Sequence, residues 1–119
     1  MTRHPHPAED LALSHLERRG LMLMTRNYAC RGGEIDLIMQ DGATLVFVEV
    51  RHRTGHQFGT PEETVGLGKQ RRLVLAAQHY LARNPALAKQ PMRFDVVALS
   101  GPLARAEFRW IRNAITGSG

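Results

Sequence analysis

Three carboxylates interrupt apolar runs in the segment Gly33–Arg53, GEIDLIMQDGATLVFVEVRHR. Glu34, Asp36 and Glu49 stand among Ile, Leu, Val and Phe, and Arg51 follows Glu49 at a spacing of two. A carboxylate in apolar surroundings is costly unless a cation or a metal meets it. Two or three acids on one surface suit a hard divalent cation such as Mg²⁺ or Mn²⁺, bound by oxygen and keeping several waters. Such an ion activates water and offsets the charge that builds on a phosphodiester under attack. Arg51 is no general base, because arginine keeps its proton; its planar fork suits a phosphate instead. The alternative is ordinary ion pairing of Glu34 or Glu49 with Arg51 across a solvated sheet face. Ile38, Leu45 and Phe47 on the same predicted face weigh against that alternative, since a solvated face has no need of them.

Those residues must first be brought together. Period-two alternation predicts two strands, and Asp41-Gly42 between them predicts a two-residue hairpin turn. That turn pairs Gln40 with Ala43, sets Asp36 opposite Phe47 and sets Glu34 opposite Glu49. Directly opposed residues share a face. Glu34, Asp36, Glu49 and Arg51 are therefore expected on one side of the hairpin, with Asp36 diagonal to Glu49, and Ile35, Leu37, Val46, Val48 and Val50 on the other.

The flanking sequence supplies the remaining elements. Ala8, Leu11, Ala12, His15 and Leu16 form a helical stripe within Pro7–Arg19, which Gly20 ends. Glu9 lies in the first turn of that helix, where the dipole alone would favour an anion. Leu21–Cys30 reads as a strand, and Arg31-Gly32-Gly33 as a turn. Residues 52–59 read as a loop in which Arg53, His56 and Gln57 could touch a phosphate backbone. Thr60-Pro61-Glu62-Glu63 has the capping-box pattern. Gly68–Arg83 is a second helix with Leu73, Ala76, Ala77, Tyr80 and Leu81 as its buried stripe. Lys69, Arg71 and Arg72 crowd its first turns, where cations oppose the helix dipole, so a phosphate partner is indicated. Lys69, one turn before Leu73, points nearest the sheet. Arg93–Leu99 and Glu107–Asn113 read as strands, with Asp95 expected to pair with an arginine, and Ile115–Gly119 as a frayed tail. The order of helix, three strands, helix and two strands predicts an α/β fold, a central mixed five-stranded sheet flanked by helices.

Composition narrows the class. A chain of 119 residues allows one domain with a real core. No apolar run approaches a bilayer span and no apolar leader opens the chain, so no membrane is expected. The single cysteine, Cys30, rules out an internal disulfide framework and suits the cytoplasm. The net charge of +5 is unevenly spread: residues 1–50 carry five Lys/Arg and seven Asp/Glu, residues 51–119 eleven and four. Acids thus gather near the suspected centre and bases beyond it, a layout suited to holding a polyanion.

A family resemblance joins these readings. The acid on one strand followed by Glu-x-Arg on the next resembles the PD-(D/E)XK nuclease superfamily. More narrowly, RNYACRGGEIDLI, TLVFVEVRHR, FGTPEETV and KQRRL together resemble the YraN-type family of small bacterial proteins, described as Holliday-junction-resolvase-like. The resemblance spans residues 8–112 and implies a restriction-endonuclease-like core, ordered over about residues 8–113 within a single domain 1–119. It implies Asp36 and Glu49 as Mg²⁺ (or Mn²⁺) ligands and matches Glu9 to an additional acid of related resolvases. Arg51 stands where the superfamily carries lysine, which leaves Lys69 to supply the lysine chemistry. The expected function is that of a Mg²⁺-dependent endonuclease acting on DNA, branched or structured DNA in particular, with Arg53, Lys69, Arg71 and Arg72 as nucleic-acid contacts. Action on a two-fold junction would call for a homodimer, and no sequence feature marks an interface. Two rivals stand beside this expectation: a nucleic-acid-binding module without cleavage, and a protein-interaction domain.

Overall fold

The computed structural model describes residues 6–53 and 65–115. Helix α1 (Pro7–Glu17) leads into strands β1 (Met22–Cys30), β2 (Gly33–Asp41) and β3 (Thr44–Arg53). Helix α2 (Leu67–Arg83) precedes β4 (Met92–Ser100) and β5 (Glu107–Ile111). The strands lie in the order β1-β2-β3-β4-β5. All neighbours are antiparallel except β3 and β4, which are parallel. Parallel neighbours need a long crossover, and α2 lies in the connection that makes it.

Each helix covers one face of the sheet. Ala12 and Leu16 of α1 pack on Leu37, Met39, Val46, Val48, Val97 and Leu99. Leu73, Ala76, Ala77 and Tyr80 of α2 pack on Ile35, Ile38, Leu45, Phe47 and Val96. With both faces covered, β3 is apolar without a break from Leu45 to Val48, as a doubly buried strand should be. The expected α/β architecture, a mixed five-stranded sheet with helices on it, is the one observed, and it is that of a restriction-endonuclease-like core. One glycine fixes how closely α2 approaches: a Cβ on Gly33 would stand 2.1 Å from the Arg72 carbonyl oxygen.

The structure corrects several details. Asp41 pairs with Thr44, so the hairpin turn is Gly42-Ala43, and Gly42 takes the one left-handed position there, at φ 57°. Asp41 instead receives Arg93 Nη2 at 2.8 Å. The register moves by two, from Asp36 opposite Phe47 to Asp36 level with Glu49, and parity survives. Strand β3 runs through Arg53, which pairs with Ser100, so residues 52–53 are strand, not loop. His56, Gln57 and the capping box Thr60–Glu63 lie outside the described residues. Ile115 is not frayed but buried in the core beneath α2.

Candidate metal centre

Side-chain alternation fails at one step in the sheet, and Asp36 sits there. On β2, Ile35 and Ile38 both face α2 while Leu37 and Met39 face α1. On β1, Thr25 and Tyr28 both reach α2, through Tyr80 and His79, while Arg26 between them reaches α1. The pairs Arg26–Leu37 and Tyr28–Ile35 bracket Asn27 and Asp36, which therefore face each other across the ladder. Asn27 holds φ 54°, a left-handed conformation that asparagine tolerates better than most residues. The two strands swivel there together.

The swivel ends the β2–β3 pairing at Leu37 and Val48. Beyond it, the Val50 N–H donates to Asp36 Oδ2 at 2.8 Å, so a side chain replaces the main chain of β2 as acceptor. This fixes the Asp36 carboxylate beside Glu49. Glu34 has the opposite fate. It pairs with Ala29, whose neighbours Tyr28 and Cys30 pack toward α2, so Glu34 lies on the far side of the sheet and is exposed. The expectation that Glu34 shares a face with Asp36 and Glu49 is therefore overturned by the swivel.

A cavity of about 400 Å³ opens where the strands part. Among the described residues its walls include Glu9 from α1, Asp36 from β2, Glu49, Arg51 and His52 from β3, and Lys69 from α2. Glu49 is 3% exposed. Its Oε2 lies 3.4 Å from Arg51 Nη1 and 3.5 Å from Lys69 Nζ. Its Oε1 is buried with no hydrogen-bond partner. Burial, the charge of Asp36 and a hydrogen bond with that acid push the Glu49 pKa up to about 7, against the opposing pull of Lys69 and Arg51. Glu9 is also buried, with its Oε1 unsatisfied and 3.7 Å from Arg26 Nε, which is itself unsatisfied. Burial, then repulsion from Asp36, raises the Glu9 pKa, while His6 and Arg26 lower it.

Unsatisfied buried carboxylate oxygens facing a polar cavity fit a divalent cation with its waters. No three His, Cys, Asp or Glu side chains among the described residues converge on one point tightly enough to hold a metal alone. A Mg²⁺ ion, bound through one or two carboxylates with water in its other positions, would suit such a setting. Asp36 and Glu49 would be the pair to hold it, and Glu9 faces the same cavity. Arg53, Arg71 and Arg72 are exposed, do not line the cavity and form no ion pair with its carboxylates.

Two participants were not legible as such from the sequence. His52, read as the start of a loop, ends up on a cavity wall with its Nε2 3.0 Å from the Gly101 carbonyl oxygen. Alternation along β3 puts it with Val50, on the face opposite Glu49 and Arg51, so no periodic signal marked it. Arg26, read as the polar middle of a strand, secures the first turn of α1 through Glu9 and Asp10. Asp95 pairs with Arg93, as its setting suggested.

Comparison with known proteins gives the family. Residues 8–99 match the family described as Uncharacterised protein family UPF0102. A UPF0102 protein of Stutzerimonas stutzeri is 50% identical over 107 residues, 90% of this chain and 89% of its own length. One from Saccharophagus degradans is 50% identical over 109 residues, 92% and 89% of the two chains. One from Cupriavidus pinatubonensis is 54% identical over 110 residues, 90% and 80%. The chain belongs to the UPF0102 family, which is the YraN-type group.

Proposed function

We propose that this member of UPF0102 is a metal-dependent endonuclease that hydrolyses phosphodiester bonds in DNA, with branched or structured DNA as its expected substrate. The observation that carries the reading is Glu49: a carboxyl almost fully buried beside Asp36, with two cations near one oxygen and no donor on the other. Asp36 and Glu49 would hold Mg²⁺ or Mn²⁺, and Glu9 would act from the cavity wall. When bound, the ion supplies Lewis acidity and an activated water. The chain supplies the rest. Lys69 reaches Glu49 Oε2 from α2 at nearly the distance Arg51 reaches it from β3. It provides the ammonium that the strand lacks. Both cations flank the place where a phosphate would meet the carboxylates, and both offset charge on its oxygens. The Val50 N–H holds the Asp36 carboxylate in place through its Oδ2.

The test pairs a cleavage assay with a binding assay. Supercoiled DNA and a four-way junction are incubated with Mg²⁺ or Mn²⁺ and wild type or Asp36→Asn. The substitution is expected to lower cleavage by at least about 100-fold, the upper end of what even a ligand's supporting contacts are worth. Calorimetry should show Mn²⁺ binding to wild type and none to Glu49→Gln. Cleavage that survives Asp36→Asn removes the site. A second reading, DNA binding without hydrolysis, is favoured by Arg51 in the lysine position. Metal-independent DNA binding with no product would select it.

A further inference from the structure

Helix α2 carries no Asp or Glu over its 17 residues, although most of its length borders solvent. Arg71, Arg72, Leu75, Gln78, His79, Ala82 and Arg83 form one continuous exposed stripe. A solvated helix face usually mixes both signs of charge, because i, i+4 pairs stabilise it and like charges do not. Here the cations have no partner on their own helix. The groups beside the stripe add to it. Arg31 is exposed at the β1–β2 turn, and the neighbouring Gly32 approaches Leu75. Tyr28 of β1 hydrogen-bonds His79. Among the described residues, the exposed carboxylate closest in sequence to Arg31, Glu34, projects from the other side of the sheet. Leu75, half exposed, gives the stripe an apolar spot between its cations. By contrast, α1 carries Glu9, Asp10 and Glu17, and Arg18 and Arg19 follow its end.

We propose that this carboxylate-free face of α2, with Arg31, is the track along which a nucleic-acid backbone runs away from the carboxylate pair. The inference rests on the reading of that pair as a phosphodiester site and assigns the direction from which the polyanion reaches it. Lys69 begins the track at Glu49, and Arg83 ends it about 21 Å away along the helix axis. That length accommodates several consecutive phosphates of one strand. The shared chemistry is a run of phosphodiesters, offered by a single strand or by one strand of a duplex. Leu75 and the Tyr28–His79 pair, set among the arginines, provide the apolar and aromatic surface on which unpaired bases rest.

The track is tested without metal, so cleavage plays no part. Fluorescein-labelled single-stranded and duplex oligonucleotides of about 20 nucleotides are titrated in EDTA at several salt concentrations, with binding read by polarisation. Arg72→Gln with Arg83→Gln is expected to weaken binding at least about ten-fold at 0.1 M salt and to lower the salt slope by about two. Arg18→Gln with Arg19→Gln, an equal charge change beyond the end of α1, should change binding less than about two-fold. Loss confined to the single strand, or to the duplex, identifies which source supplies the phosphates. Equal losses in the two double variants, or an unchanged salt slope in the α2 variant, overturn the track. Matching melting temperatures confirm that all variants fold. Binding through α2 without any product would sink the hydrolytic reading and leave the track. Cleavage with unaltered binding in the α2 variant would do the reverse.

Discussion

Glu49 is a carboxyl kept where ionisation is expensive, and that expense is a stability statement. Its pKa is about 7 in the folded chain against an ordinary value of 4.5. Between those values the folded protein holds a proton that the unfolded chain has already released. Stability contributed by the protonated group is thus fully present below pH 4.5, declines as pH rises, and is gone above 7. The decline is on the order of 3 kcal/mol, since each tenfold step in acidity is worth about 1.4 kcal/mol. Glu49→Gln removes this titration. In EDTA, urea unfolding of wild type should show a fall in stability from pH 5 to pH 8 that is smaller by roughly that amount in Glu49→Gln. Added Mg²⁺ should restore wild type at pH 8, because ligand that binds only the folded state stabilises it, and leave the variant unchanged. Parallel pH profiles for the two proteins would show that Glu49 ionises normally.

At the scale of elements, the site exists because two strands part and a helix sits low over the gap. The low position depends on Gly33, whose missing Cβ leaves room for the Arg72 carbonyl. Gly33→Ala meets main chain at 2.1 Å, so the helix must move. The expected cost is about 2–3 kcal/mol, in the range of overpacked cores. Lys69 rides on the first turn of the same helix, so the variant should also lose cleavage beyond its loss of folded protein. Thermal melts and assays at a temperature where it remains folded would separate the two effects. Much of this architecture was legible in the sequence. The helical stripes, the doubly buried β3 and the convergence of Asp36, Glu49 and Lys69 all follow from periodicity. What periodicity hid was the swivel at Asn27 and Asp36, because alternation assumes that every strand residue turns the same way. Asn27 in an otherwise strand-like run was its only local signal. The swivel removed Glu34 from the site, and the absence of any left-handed need at Asp41 moved the hairpin turn by one residue.

At the scale of the whole molecule, two strand acids of one sheet, Asp95 and Asp36, have opposite relations to stability. Asp95 accepts from Arg93 Nε with both oxygens, from Trp110 Nε1 at 2.9 Å and from the Asn113 N–H at 2.8 Å. Arg93 extends the chain to Asp41, which ties β2 to β4 across β3, and Trp110 and Asn113 tie in β5 and the segment beyond it. The carboxylate is saturated and has no capacity for a ligand. Asp36 lies instead beside a second acid, and its charge is among the causes that hold Glu49 out of its ordinary range. Asp95→Asn should therefore destabilise by about 3–5 kcal/mol, because it removes the buried charge to which Arg93, Trp110 and Asn113 all donate and turns an amide N–H toward donors. At about 4 °C per kcal/mol, its melting temperature should fall by at least roughly 12 °C. Asp36→Asn keeps an oxygen for the Val50 N–H and removes a repulsion, so at pH 8 in EDTA it should melt at or above wild type, by about 1–2 kcal/mol at most. Mg²⁺ should raise the melting temperature of Asp95→Asn as it does that of wild type, and should leave Asp36→Asn where it was. On the proposed reading, the fold retains Asp36 at the expense of its own stability for the ion that acid would hold. If Asp36→Asn melts well below wild type, Asp36 is structural, and the metal centre loses its first ligand.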